Sequence, residues 1–209
     1  VTHVTSLWIK VCGLRTAAAI EVAATAGANA VGFVFHDASP RNLPLAAARD
    51  LQRAVPEGVE RVAVFLHPTQ ALVDAVLAAI EPDWLQTDAG DLPGLRLPEG
   101  RRVLPVLRDD AVEAAALPGR ILFEGARSGA GERADWRAAA ALAGATQLVL
   151  AGGLDPANVA EAVRTVRPFG VDVSSGVERE RGVKDAALIR EFIRAAREAE
   201  RAPSVEESR

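Results

Sequence analysis

Short apolar runs closed by Gly, Pro or an acidic residue alternate with alanine-rich amphipathic stretches along most of the chain. That alternation predicts repeated strand–helix units around a parallel sheet. The strands fall at Leu7 to Cys12, Ala30 to Phe35, Arg61 to Leu66, Trp84 to Thr87, Arg102 to Leu107, Arg120 to Glu124, Gln147 to Ala151 and Gly170 to Ser174. Helical stretches follow most of them. The clearest comes last: after Asp185, the residues Leu188, Ile189, Phe192, Ile193 and Ala196 form one apolar stripe at helical spacing. After Leu148 to Ala151 the chain turns at Gly152-Gly153, and a helix is expected at once, with Asp155 as N-cap and Pro156 at its first position. The stretch 88–100 holds Pro93, Gly94 and Pro98, so the unit after strand four is expected to be abbreviated. The polar, patternless tail 202–209 is expected to be disordered.

Eight units in 209 residues predict a single α/β domain over 1–201, a closed (β/α)8 or TIM barrel near the minimum size for that architecture. In such a barrel the chemistry sits at the C-terminal ends of the strands. Those ends supply Cys12, His36, Arg41, His67, Gln86, Asp88, Arg108, Glu124, Gly152, Gly153, Ser174, Ser175 and Gly176. Side chains on a strand alternate between faces, so Trp8, Lys10 and Cys12 point to the barrel axis while Ile9 and Val11 point to the helices. The same rule turns Leu122 and Glu124 inward on strand six, and Asp172 and Ser174 inward on strand eight. Strands eight and one are neighbours in a closed barrel. Lys10 and Asp172 are therefore expected to pair across that seam, which avoids an isolated buried charge.

Composition narrows the function. A net charge of -4 with dispersed Lys and Arg argues against a nucleic-acid partner, and a single cysteine rules out an internal disulfide framework. No apolar run is long enough for a membrane span. The first ten residues lack a basic start and an apolar stretch, so they do not read as a signal peptide, and a cytoplasmic protein is expected. No His and carboxylate cluster has zinc-ligand spacing, so neither metal nor cofactor is expected. Gly129 to Ala134 fits a dinucleotide-binding pattern, but the next strand runs into Ala151-Gly152 instead of an acidic residue, which discounts it. Trp8, Trp84 and Trp136 are expected to pack in the core or at its rim.

The glycine and serine turns after strands seven and eight, Gly152-Gly153 and Ser174-Ser175-Gly176, would offer converging backbone N–H groups and hydroxyls to a phosphate dianion. Either turn is also compatible with an ordinary strand-to-helix connection. Cys12 reads as a small buried hydrophobe or as a base whose pKa nearby positive charge lowers toward neutrality. Glu124, carried to the mouth by Ile121-Leu122-Phe123, reads as a solvated glutamate or as an acid with a pKa raised by partial burial. Arg41 can hold a substrate carboxylate bidentately or lie on the surface. His36 and His67 read as loop histidines facing water.

Lys10-Val11-Cys12-Gly13, Ala30-Val31-Gly32-Phe33-Val34-Phe35, and the segments AGGLDPANV and VDVSSGVE together resemble the phosphoribosylanthranilate isomerase family of tryptophan biosynthesis. The likeness runs from strand one to helix eight. It implies a cofactor-free Amadori rearrangement of N-(5'-phosphoribosyl)anthranilate to 1-(o-carboxyphenylamino)-1-deoxyribulose 5-phosphate. It also implies roles: Cys12 as general base, Arg41 on the anthranilate carboxylate, and Gly152, Gly153, Ser174, Ser175 and Gly176 on the phosphate. Asp172 is expected among the substrate-binding groups. The chain departs from the family in two places. Glu124 stands where the family has a catalytic aspartate, one methylene longer, and Gln86-Thr87-Asp88-Ala89 replaces the usual Gln-Leu-His-Gly. Two other functions stay open: isomerisation of a different phosphoribosyl compound, and a diverged barrel that only binds phosphosugars. A small phosphorylated molecule is the expected partner, with the chain a monomer or homodimer.

Overall fold

The eight apolar runs form eight strands in the computed structural model, which describes residues 6–108, 119–125 and 133–201. They are β1 Trp8–Cys12, β2 Ala30–Val34, β3 Glu60–Val64, β4 Trp84–Asp88, β5 Val103–Arg108, β6 Arg120–Glu124, β7 Gln147–Leu150 and β8 Gly170–Val173. The strands close in chain order into a parallel barrel, β8 returning to β1 through the pairs Trp8↔Gly170, Ile9↔Val171, Lys10↔Asp172 and Val11↔Val173. Each expected strand is present, with ends shifted by a residue or two.

Outside the barrel lie α1 Ala17–Ala26, α2 Leu45–Leu51, α3 Gln70–Ala79, α4 Trp136–Ala143, α5 Val159–Val166 and α6 Ala186–Arg201. Their starts are written locally. Thr16, Thr69, Asp135 and Asp185 each turn a side-chain oxygen onto free backbone N–H groups of the first turn. After β4 a single 3-10 turn, Ala89–Gly94, takes the place of a helix, and Pro93 inside it explains the abbreviation. Asp155 makes the capping bonds expected of it, but the regular helix starts later than expected. Its carboxylate accepts from Ala157 N at 2.8 Å and Asn158 N at 2.9 Å, closing a turn that leads into the helix. The regular helix α5 begins at Val159, whose N–H donates to the Asp155 carbonyl at 3.0 Å, and the Asn158 side chain donates back to the Gly153 carbonyl at 2.8 Å. A short antiparallel hairpin after β8, β9 Glu178–Glu180 with β10 Val183–Lys184, has no counterpart in the sequence pattern.

The period-two alternation produces two cores. Ile9, Val11, Val31, Phe33, Ile121 and Phe123 face the helices, joined by the α6 stripe Ile189, Phe192, Ile193 and Ala196 and by Trp136. Trp8, Ala30, Val62, Trp84, Leu104, Leu122 and Val149 fill the barrel itself. At its N-terminal end the Arg120 guanidinium lies 4.5 Å from the Trp84 ring centre and 4.3 Å from that of Phe169, closing the bottom with cation–π contacts. The opposite end stays open. The tail 202–209 and most of the Gly129 to Ala134 pattern lie outside the described residues. None of the described helices is long and apolar enough to cross a membrane.

Candidate active site

The inward face of β1 carries two polar groups into the barrel. Lys10 is fully buried and donates to Asp172 Oδ1 at 2.9 Å, as the register of β1 on β8 requires. Burial alone would pull the Lys10 ammonium down, but the charges of Asp172 and Cys12 more than offset it and hold it above its ordinary value. Cys12 stands above that pair, buried. Gly32 is its register partner, and a Cβ built there would come within 2.9 Å of the Cys12 sulfur, so the glycine keeps the thiol's seat open. The thiol corrects the expectation of a lowered pKa. Burial pushes it up, and the Asp172 carboxylate adds to that, outweighing the opposing charges of Lys10 and Lys184.

Glu124 ends β6 as expected, and burial raises its carboxyl above the ordinary value against the opposing pull of Arg108. Arg108, at the end of β5, donates to both Glu124 Oε1 and Asp88 Oδ1. This three-residue bridge joins the ends of β4, β5 and β6. Beside it Gln86 is buried with its side-chain oxygen unpaired among the described residues. His67, expected to face water, is exposed yet held. It has positive φ, its Nδ1 lies 2.9 Å from Asp91 Oδ1, and Asp91's hydrogen bond to the ring raises its pKa. His67, Asp88 and Asp91 thus meet, a cluster that sequence spacing does not reveal.

Arg41 is not a surface residue: it is buried and already forked onto Glu178, Nε to Oε1 at 2.7 Å and Nη2 to Oε2 at 2.9 Å. The guanidinium edge through Nη1 has no partner among the described residues. Glu178 also accepts from Lys184 Nζ at 2.8 Å and from Gly182 N at 3.0 Å. Burial would raise the Glu178 carboxyl, but these donors hold it down at about 2. Lys184 reaches on to the Ser174 carbonyl at 2.8 Å. Glu178 and Lys184 organise this side of the mouth, and sequence reasoning passed over both. Glu178 closes the VDVSSGVE segment without being singled out, and Lys184 carried no signal but its place in the loop that follows.

The two glycine turns come together. A Cβ on Gly176 would stand 1.9 Å from the Leu154 carbonyl oxygen, so loop eight lies directly against loop seven. Gly152 and Gly153 adopt φ of 82° and 61°, left-handed conformations that favour glycine. A cavity of about 210 Å³ opens at the C-terminal mouth, lined among others by Cys12, Arg41, Gln86, Glu124, Asp172 and Ser174. Gly152, Gly153, Ser175 and Gly176 are not part of its lining, although Ser174 links that wall to Cys12 by donating to its carbonyl at 3.2 Å. His36 lines the cavity as well.

A closed parallel barrel whose C-terminal mouth gathers a thiol, a carboxyl of raised pKa and a pre-aligned arginine defines a (β/α)8-barrel enzyme of the acid–base kind. The sequence matches the family model for N-(5'-phosphoribosyl)anthranilate (PRA) isomerase over residues 9–195. A curated N-(5'-phosphoribosyl)anthranilate isomerase of Thiobacillus denitrificans is 40% identical over 200 residues, covering 90% of this chain and 97% of that one. Among solved structures, phosphoribosyl anthranilate isomerase from Thermotoga maritima superposes with a TM-score of 0.79 at 29% identity, over 92% of this chain and 99% of the other. A phosphoribosyl anthranilate isomerase in complex with reduced 1-(o-carboxyphenylamino)-1-deoxyribulose 5-phosphate superposes with a TM-score of 0.74 at 27% identity, over 92% and 99%. The chain belongs to the phosphoribosylanthranilate isomerase family.

Proposed function

We infer that this chain converts N-(5'-phosphoribosyl)anthranilate to 1-(o-carboxyphenylamino)-1-deoxyribulose 5-phosphate, the isomerisation of tryptophan biosynthesis. The family match supports it, and so does the complex of a relative with a reduced form of that product. The observation that carries the site assignment is the placing of Cys12 and Glu124 on one cavity, on opposite parts of the barrel wall. Glu124 gives its proton to the furanose oxygen as the bond from that oxygen to C1' breaks, while the anilino nitrogen lone pair forms the C1'=N bond. Cys12 as thiolate then takes the C2' proton. The released electron pair forms C1'=C2', nitrogen regains its lone pair, and tautomerisation of the enol gives the ketone. One proton is given by Glu124 and one is taken by Cys12 while the electron pairs shift within the substrate, with no net oxidation or reduction, so the reaction as written calls for no cofactor.

Burial raises both groups, which favours the protonated carboxyl that the acid role needs and works against the thiolate that the base role needs. Lys10 and Lys184 favour the thiolate by their charge. Arg41, fixed by Glu178, presents its remaining edge to the anthranilate carboxylate, and Asp172 lines the cavity with its charge balanced by Lys10. The turns at Gly152-Gly153 and Ser174-Ser175-Gly176 take the phosphate, which extends beyond the cavity lining. A phosphorylated sugar does not cross membranes, which suits a cytoplasmic enzyme. The test is turnover of the substrate by purified protein, with Cys12→Ser and Glu124→Gln each lowering it about 10²- to 10⁴-fold. Retained binding of the reduced product analogue without any turnover would leave only a phosphosugar-binding barrel.

A further inference from the structure

We propose that Arg108 is a positioning residue for the Glu124 carboxyl, itself braced by Asp88 on the neighbouring strand. The proposal rests on the reading of Glu124 as the general acid. Arg108 and Glu124 are direct register partners of β5 and β6, and Asp88 pairs with Val106 two residues before Arg108. The guanidinium gives one arm to Asp88 and the other to Glu124, and all three side chains are largely buried, at 14%, 17% and 17% exposure. A planar fork held at one arm is a fixed donor at the other, unlike a free lysine. A glutamate ending a strand is otherwise free to rotate about its extra bond. The bridge ties Oε1 and thereby orients the carboxyl that the added methylene would leave loose.

The bridge also decides which oxygen works. Oε1 accepts from Arg108 and cannot hold a proton along that line, so the proton goes to Oε2, which has no partner among the described residues. Charged groups face Glu124 from three strands: Arg108 on β5, Asp88 on β4 and Asp172 on β8. Behind Asp88 stands His67, Nε2 to Oδ2 at 3.8 Å, and behind Asp172 stand Lys10 and Cys12. Arg108 draws the Glu124 carboxyl toward its ionised form, and Asp88 pushes it toward the protonated one.

The experiment measures kcat, KM and the pH profile of kcat/KM, whose limbs report the free enzyme. The lower break is assigned to Glu124, because a carboxyl ordinarily ionises below a thiol and burial raises this thiol further. In Arg108→Gln, kcat should fall by at least about tenfold while affinity for the reduced product analogue changes by less than about threefold, and the lower break should move to higher pH. Asp88→Asn should move the same break to lower pH. Arg108→Lys keeps the charge and loses the fork, so kcat should fall with the break nearly in place. Opposite movements are something a general loss of structure would not produce. If Arg108→Gln keeps both kcat and its break, or if both variants move the break in one direction, the proposal fails and Glu124 remains the acid. Full turnover by Glu124→Gln, measured alongside, removes the acid reading itself. Should Arg108→Gln not fold, Arg108→Lys and Asp88→Asn carry the same readouts, and an unmoved break in Asp88→Asn with unchanged kcat in Arg108→Lys overturns the proposal.

Discussion

Lys10 Nζ and Asp172 Oδ1 meet at 2.9 Å across the seam where β8 closes on β1, with the lysine wholly buried. The pair sits between the apolar filling of the barrel and the cavity at its mouth, directly below Cys12. Lys10 supplies positive charge toward the thiol, and Asp172, which opposes it there, keeps the lysine from standing as an isolated ion in the interior.

Breaking that pair on one side leaves the other charge stranded. Lys10→Met should cost about 3–5 kcal/mol in urea unfolding, whereas the double variant Lys10→Met/Asp172→Leu should recover most of it. Equal unfolding midpoints for the single and double variants would contradict this. Activity should be lost in both, because the thiolate loses a supporting charge.

Glu178 is the clearest source of pH-dependent stability. Its folded pKa is depressed to about 2 from an ordinary 4.5, so its contribution is complete above pH 4.5 and disappears as the pH falls toward 2. A depression of that size amounts to about 3 kcal/mol. Glu178→Gln should be less stable at neutral pH, since Arg41 and Lys184 lose their common partner, and should show a flatter fall in stability between pH 4.5 and 2. Thermal melts across that window measure both.

Contact between the phosphate turns depends on Gly176. An alanine there meets the Leu154 carbonyl oxygen at 1.9 Å and forces the two loops apart. Gly176→Ala should weaken inhibition by inorganic phosphate by about tenfold or more, a misplacement effect. Gly170→Ala serves as the control, because its clash, 2.4 Å from the Trp8 carbonyl oxygen, lies at the other end of β8. It should lower stability and leave the phosphate inhibition constant of the folded enzyme near that of the parent.

Alkylation reads the state of Cys12. Burial places its thiol above the usual 9.0, so iodoacetamide should react slowly at neutral pH and faster as the pH passes that value. The reduced product analogue should protect it. Rapid modification at pH 7 would show that Lys10 and Lys184 prevail over burial.

Strand positions, barrel closure and the inward facing of Lys10, Cys12, Glu124 and Asp172 were all legible in the sequence. They follow from period-two alternation and from the rule that a closed sheet makes its first and last strands neighbours, so even the Lys10–Asp172 pair could be foreseen. Gly152, Gly153, Ser174, Ser175 and Gly176 stood out for the same local reason, as turn residues at strand ends. Tertiary structure decided what depends on distance through space. It set burial against charge at Cys12 and reversed the expected direction of its pKa. It drew Arg41 out of solvent onto Glu178, which Lys184 also holds, and both arrive on a hairpin that no hydrophobic pattern announces. It joined Asp88, Arg108 and Glu124 from three strands into one bridge. Periodicity is a property of neighbours along the chain and can be read from it, whereas a charge's partner is set by how loops and long side chains fold back over the barrel mouth.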